Sequence, residues 1–476
     1  MNTMLIFSAA WPIVAALATA AFIFANRQEE NSAIWALLIF VSLSFFHTIL
    51  FTFSTIEMTL WVSTMGGNLS QKIALAIVLA AFLLHTLADR SRLALVDKRI
   101  ELSFPAIALV LAIIGYATHS PMATAQWFID AGSHLTFLTL IIVLLALAPR
   151  VRRIEGPKFL ILALCCLIVM SILVGFYEVA YGRAWAVYSR ADGLIVSRAS
   201  GLQFNPNLFG GWLGFAFLLT LRAKDVGNLA WARPLVFVAI GVGLFLSGSR
   251  GASICLAASA IAAIVVGWRN AWKVISQYLY VGLGFGAILT CSLVIQGTPF
   301  TTLALRWLDV PLAVAEIVLP SGAVDTVAKQ IGEVAGATIQ SSAAYDDKEL
   351  AHVSEAQNLE IAVTGRFSGE LRDNGFLAAF DAGGPLAAAG LVFLFAAVAI
   401  FLARASRRGS EALRSNMWAL YAYILIWSMQ ARAFQVYPIW VFMAIGITIL
   451  LRDSSSVRSR GAERTNAVTM RVGEAV

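Results

Sequence analysis

Residues 197–222 read SRASGLQFNPNLFGGWLGFAFLLTLR, and the stretch changes character halfway along. Its first part is polar, with Ser197, Arg198 and Ser200, and it ends in the helix-breaking run Asn205-Pro206-Asn207. From Leu208 to Leu221 only glycines and Thr220 interrupt the apolar residues. Proline suits the first turn of a helix, where its missing N–H has no intrahelical partner. Asparagine is a good N-cap. The segment therefore predicts an apolar helix starting at Pro206, entered from a polar connection. Repetition of that alternation along the chain decides the fold class.

Of 476 residues, 59% are hydrophobic and 13% charged, against roughly 25% charge in a soluble domain. Apolar runs at about 4–25, 32–53, 72–88, 103–118, 132–149, 158–180, 206–222, 230–247, 251–268, 277–296, 376–403, 417–432 and 435–451 reach or approach the ~20 residues that cross a bilayer. The expectation is an all-α polytopic membrane bundle of about 12–14 transmembrane helices. The first run has no basic segment before it and reads as a retained span, not a cleaved signal. The units are 1–157, N-terminal spans; 158–296, central spans; 297–375, an extracytoplasmic loop with short helices; 376–451, C-terminal spans; and 452–476, a Ser- and Arg-rich disordered tail.

The chain carries a net charge of +7. In a membrane protein an excess of Lys and Arg marks cytoplasmic loops rather than a nucleic-acid partner. Clusters such as Arg150, Arg152, Arg153 and Lys158, or Arg404, Arg407, Arg408 and Arg414, alternate with connections poor in charge. Thirteen spans put these clusters and the C-terminal tail on the cytoplasmic side. Cys165, Cys166, Cys255 and Cys291 lie inside apolar runs and read as packing residues. No P-loop, GxGxxG or HExxH pattern occurs, which argues against a nucleotide-driven machine or a zinc protease.

Three outer segments break the charge rule. They are 181–205, the turn SGSRGAS at 247–253, and 297–375, which together hold Arg183, Arg190, Arg198, Arg250, Arg306, Lys329, Lys348, Arg366 and Arg372. Two readings stand for any one of these cations: a side chain snorkelling to lipid phosphate, or part of an anion site. Arg250 sits between glycines at the start of a helix, where backbone N–H groups and the helix dipole also favour negative charge. The Gly210-Gly211 pair permits close approach to the backbone. TTLALRWLDVPLAVAEIVLP, from Thr301, is apolar but interrupted by Arg306, Asp309, Pro311 and Glu316, and reads as an interfacial helix on the outer leaflet. SEAQNLEIAVTGR holds a capping box, Ser354 with Gln357, and ends in Arg366. DNGFLAAFDAGGP, from Asp373, stands at the mouth of the next span. His47, His85, His119 and His134 lie within or beside spans and read as packing or interfacial residues; His352 is either a general base or an exposed loop histidine.

RASGLQFNPNLFGGWLG, SGSRGAS one span later, and a long outer loop ending in arginine before DNGFL together resemble the O-antigen ligase and Wzy-type polymerase superfamily, most firmly over about 160–400. The resemblance implies a GT-C-like helical bundle in the bacterial inner membrane, C-terminus cytoplasmic, with its active site facing the periplasm. Such proteins transfer a glycan from undecaprenyl diphosphate to an acceptor hydroxyl with no metal or other cofactor. By position, Arg198, Arg250 and Arg366 would hold the donor diphosphate. Asn205, Asn207, Arg372 and Asn374 would orient these groups or touch sugar. The ligase branch carries a loop histidine followed by asparagine, whereas His352 precedes Val353 here. That departure favours a polymerase of lipid-linked repeats, with the ligase as alternative, and leaves the base open among Glu370, Asp373 and His352. Implied partners are the lipid-linked donor, a glycan acceptor, membrane lipids, and a flippase and chain-length regulator of the export pathway.

A secondary transporter is the competing class. Transporters place ionisable groups near the bilayer midplane, whereas the polar residues here concentrate in outer connections, with Glu178 near the outer end of its span. A scaffold leaves the set of arginines unexplained.

Overall fold

The computed structural model describes residues 3–25, 99–119, 125–147, 158–181, 186–189, 195–201, 206–222, 231–295, 298–318, 375–406, 411–430 and 441–451, with isolated helical positions between 74 and 84. Its helices are α1 (Thr3–Ala25), α2 (Arg99–Thr118), α3 (Ala125–Leu147) and α4 (Lys158–Ala180). Two short strands follow, β1 (Ala186–Ser189) and β2 (Ile195–Arg198). Then come α5 (Pro206–Arg222), α6 (Ala232–Ser247), α7 (Arg250–Val266), α8 (Ala271–Val294), α9 (Pro299–Val318), α10 (Gly375–Ser406) and α11 (Glu411–Gln430). A last apolar helix, α12, runs Val441–Leu451.

The apolar runs that fall on described residues are helical, and α5 begins at Pro206 as its sequence dictates. Among the described residues two helices, α8 and α10, are long and apolar enough to cross a membrane. The 16 residues of α6 rise only about 24 Å at 1.5 Å each, short of a ~30 Å hydrocarbon layer.

α5 forms the centre. Phe209, Trp212, Leu213, Phe215 and Phe217 point to different sides of it and all are buried. It touches α4, α6, α7 and α11, as expected of a helix that is hydrophobic all round. Its glycines are spent on internal contacts. A side chain at Gly211 would collide with Trp427 and one at Gly214 with Tyr423, both from α11. The Tyr423 hydroxyl donates to the Gly211 carbonyl at 2.7 Å.

Two other helix pairs meet backbone to backbone. A Cβ on Gly241 of α6 would strike the Val281 carbonyl of α8, and one on Gly284 of α8 would strike the Val238 carbonyl of α6. Small residues let helices approach this closely, so the pair gains dispersion and weak C–H···O contacts that larger residues forbid. In the same way α2 and α10 close over Gly115, Ala387 and Gly390. α10 is kinked at Gly384, which has φ 66° and ψ −170° ahead of Pro385. Only glycine tolerates that backbone cheaply, and Pro385 removes a donor from the next turn.

The described residues are almost all helical, and within the polar connection 181–205 β1 and β2 add a short antiparallel ribbon, with Ala186 opposite Arg198 and Ser189 opposite Ile195. AVYS and IVSR carry the aromatic and β-branched residues that favour a ribbon, and Asp192-Gly193 between them is a hairpin signal. The first turns of α9, read as an interfacial helix, are packed within the protein. Thr301, Thr302, Leu303, Ala304 and Leu305 are buried, and α9 contacts β2, α4, α6 and α8. The Thr301 hydroxyl fixes its start by bonding the Ser292 and Ile295 carbonyls at 3.1 and 2.8 Å.

The close crossing is testable. Replacing Gly241 by alanine forces the α6 and α8 backbones apart, at about 1–3 kcal/mol for overpacking, and lowers the unfolding midpoint in detergent. Gly282→Ala on the partner helix α8 meets nothing within 4 Å and serves as the control; an equal drop in both variants would refute the close-contact account.

Candidate functional site

Helices α6 and α7 are joined by two residues, and the serines and glycine of SGSRGAS build that turn. Gly248 takes φ 57° and ψ 19°, and its N–H bonds the Phe245 carbonyl at 3.0 Å. This left-handed cap costs other residues roughly 1–2 kcal/mol. Ser249 caps the next helix, its hydroxyl accepting from the Ala252 N–H at 3.3 Å. The Ser247 hydroxyl accepts from the Ser249 N–H at 3.1 Å and donates to the Leu244 carbonyl at 2.7 Å.

Arg198 reaches this turn from the end of β2. It is 3% exposed. Its Nε donates to the Ser247 carbonyl at 2.9 Å and its Nη2 to Asn207 Oδ1 at 2.6 Å. A Cβ on Gly248 would stand 3.0 Å from that Nε, so the glycine supplies both the turn and room for the guanidinium. The chain beside Arg198 is also held: the Ala199 N–H bonds the Leu246 carbonyl at 2.9 Å. The Ser200 and Gly201 N–H groups both donate to Glu178 Oε2, at 2.8 and 2.9 Å. Glu178 is fully buried at the end of α4.

Two further arginines meet at the same turn. Arg250 Nη2 donates to the Arg306 carbonyl at 2.6 Å, and Arg306 Nε donates to the Gly248 carbonyl at 3.3 Å. Both side chains are half-buried. Trp307 Nε1 bonds the Phe245 carbonyl at 3.0 Å, and its ring meets Phe285 edge-on at 4.9 Å between centroids. The carbonyls of Ser247, Gly248 and Arg306 and the amide of Asn207 are neutral acceptors. They help to fix the orientation of the three guanidinium groups. A planar, permanently charged fork held this way suits phosphate or carboxylate.

The structure thus brings together Arg198, Asn207 and Arg250 from the expected set. Asn205, His352, Arg366, Glu370, Arg372, Asp373 and Asn374 lie outside the described residues, as do His47 and His85. Gly210 and Gly211 admit not a ligand but the protein's own side chains, those of Ser247, Ser249 and Ala252 against Gly210 and Trp427 against Gly211. His134 is buried with its Nδ1 3.0 Å from the Tyr116 hydroxyl, while His119 stands against the Gly384 kink. Glu178 and Arg306 belong to the site yet fell outside the expected set. The signal for each was an isolated charge in an apolar run.

Among the described residues no group of three or more His, Cys, Asp or Glu side chains is placed to hold a metal ion. Comparison with protein-family models, with curated proteins and with solved structures finds no match to this chain.

Glu178→Leu removes the acceptor of two backbone amides, at about 1–3 kcal/mol for each if buried and unpaired, whereas Glu178→Gln keeps an oxygen in place. Amide hydrogen exchange at Ser200 and Gly201 should quicken strongly in the leucine variant and slightly in the glutamine variant. Unchanged protection in the leucine variant would show that Glu178 does not hold this segment.

Proposed function

We propose that the protein is a membrane glycosyltransferase of the bacterial inner membrane that polymerises undecaprenyl-diphosphate-linked oligosaccharide repeats of an O-antigen or exopolysaccharide on the periplasmic face. The observation that carries this reading is the gathering of Arg198, Arg250 and Arg306 around a single turn. In the proposed reaction an acceptor hydroxyl oxygen attacks the anomeric carbon of the donor glycan. The bond from that carbon to the phosphate oxygen breaks, and the electron pair leaves with the lipid diphosphate. Guanidinium groups fixed beforehand stabilise the charge that accumulates there. The hydroxyl proton passes to a base, for which Glu370, Asp373 and His352 remain the candidates, with Arg366 as a further diphosphate ligand.

The distribution of residues between the two ends of the helices supports the membrane setting. The turn lies at the C-terminal end of α6. At the opposite end, Trp231, Trp268 and Trp272 are 68%, 75% and 76% exposed, alongside Arg233, Arg269 and Lys273. Exposed tryptophans beside basic residues match an interfacial belt on a cytoplasmic surface. Between the ends, Ile254, Ile261, Leu279 and Leu283 are exposed, as lipid-facing positions would be.

The first test is the pool of lipid-linked glycans in cells lacking the protein. Single repeats accumulating on undecaprenyl diphosphate support the polymerase. Long lipid-linked chains that never reach a final acceptor would replace it with a ligase. No change in either pool would refute both and favour a transporter.

Within the same assay, Arg250→Ala should lower turnover by about 10²-fold or more with normal expression. Arg198→Lys should also be impaired, because lysine keeps the charge but not the fork that spans Ser247 and Asn207. Wild-type turnover in the Arg250 variant would remove the diphosphate clamp.

A further inference from the structure

The corner between α7 and α8 is held firmly on its backbone and left open at its side chains. Gly267 closes α7, its N–H bonding the Ala263 carbonyl at 2.9 Å, and a single 3-10 turn, Trp268–Asn270, leads into α8. The start of α11 braces this corner. The Ser415 hydroxyl donates to the same Ala263 carbonyl at 2.8 Å, and Glu411 Oε1 accepts from the Arg269 N–H at 2.8 Å. A Cβ on Gly267 would stand 2.9 Å from the Ser415 Cβ, so glycine is what lets the corner sit this close to α11.

Four large side chains of the corner are nonetheless exposed. Trp268 and Trp272 are 75% and 76% exposed, and Arg269 and Lys273 are exposed with them. The order is tryptophan then cation, repeated after four residues. A tryptophan suits the boundary between hydrocarbon and headgroups, where its ring is apolar and its N–H stays wet. Glu411 is half-buried and engaged on the Arg269 backbone.

Apolar surface continues from the corner along both helices. On α8, Leu279 and Leu283 are exposed and follow Trp272 by about two and three turns on one face. On α7, the exposed Ile261 and Val265 lead up to Trp268. A soluble acidic partner would match the cations and leave this stripe uncovered. A lipid matches both, with phosphate on the cations and acyl chains along the stripe.

We infer that the α7–α8 corner binds an anionic phospholipid of the cytoplasmic leaflet, with Arg269 and Lys273 on the headgroup phosphate and Trp268 and Trp272 at the level of the glycerol. This rests on the membrane setting proposed above and not on glycosyl transfer. Gly267, Glu411 and Ser415 set the backbone of the corner in advance, so the lipid has little ordering to impose.

The test is native mass spectrometry of the full-length protein in detergent, titrated with dioleoyl phosphatidylglycerol and, separately, dioleoyl phosphatidylcholine. Phosphatidylglycerol should bind more tightly. Arg269→Gln and Lys273→Gln should each weaken it about fivefold, and the double variant by about tenfold or more. The exchange Arg269→Lys with Lys273→Arg keeps both charges and should retain binding. Arg458→Gln with Arg460→Gln removes two charges from the C-terminal segment and should change nothing. If the double glutamine variant does not fold, the single variants are read. Undiminished phosphatidylglycerol binding in the glutamine variants overturns the corner as its site. An equal loss in the Arg458 and Arg460 variant reduces the effect to net charge and overturns it too. Phosphatidylcholine bound as tightly, or inorganic phosphate displacing the lipid, overturns the anionic phospholipid as occupant. Each of these leaves the membrane setting standing, whereas recovery of the chain from cells without detergent overturns both.

Discussion

The left-handed turn at Gly248 is the constraint on which the rest of the site depends. It reverses the chain between α6 and α7 in two residues and leaves a row of carbonyls, from Phe245 to Gly248, facing the elements around it. Trp307 takes the Phe245 carbonyl, Ala199 the Leu246 carbonyl, Arg198 the Ser247 carbonyl and Arg306 the Gly248 carbonyl. The last carbonyls of a helix have no intrahelical donors. Here they are satisfied by β2 and α9, so the bonds that complete α6 also fasten the strand and the helix that bear the arginines.

That economy explains the composition of the turn. Serines 247 and 249 bond locally and cap, glycine supplies the positive φ, and Gly210 on α5 lets the turn sit directly on the central helix. A bulkier sequence would separate α5 from the turn and with it Asn207 from Arg198. The site is thus rigid for reasons of chain geometry before any ligand is considered. Rigid placement is what electrostatic stabilisation of a leaving group requires, since charges that must reorganise during reaction lose much of their effect.

Glu178 shows a second use of buried polarity. A carboxyl group inside an apolar helix end is costly unless hydrogen-bonded, and this one receives two backbone amides just after Arg198. It holds the connection rather than the substrate. Its chemistry is that of an anchor.

Much of the fold was legible in the sequence because hydropathy is a local property. The apolar runs near 4–25, 158–180, 206–222 and 251–268 became helices close to those limits, and Pro206 set the start of α5 by its own covalent geometry. Arg198, Asn207 and Arg250 were legible as polar residues that an apolar chain had no local reason to keep. The sequence did not disclose the partners. Arg198 bonds a carbonyl 49 positions away and Arg306 one 58 positions away, and no periodicity carries that information. For the same reason the sequence did not show that the connection 181–205 holds a paired ribbon or that the first turns of α9 pack against β2, α4, α6 and α8. Whether an amphipathic segment meets lipid or protein depends on what lies beside it. Tertiary structure alone decided that Gly210 and Gly211 receive the protein's own side chains and that Arg198 is enclosed while Arg306 is half-buried at the same turn, because burial exists only once distant segments have been brought together.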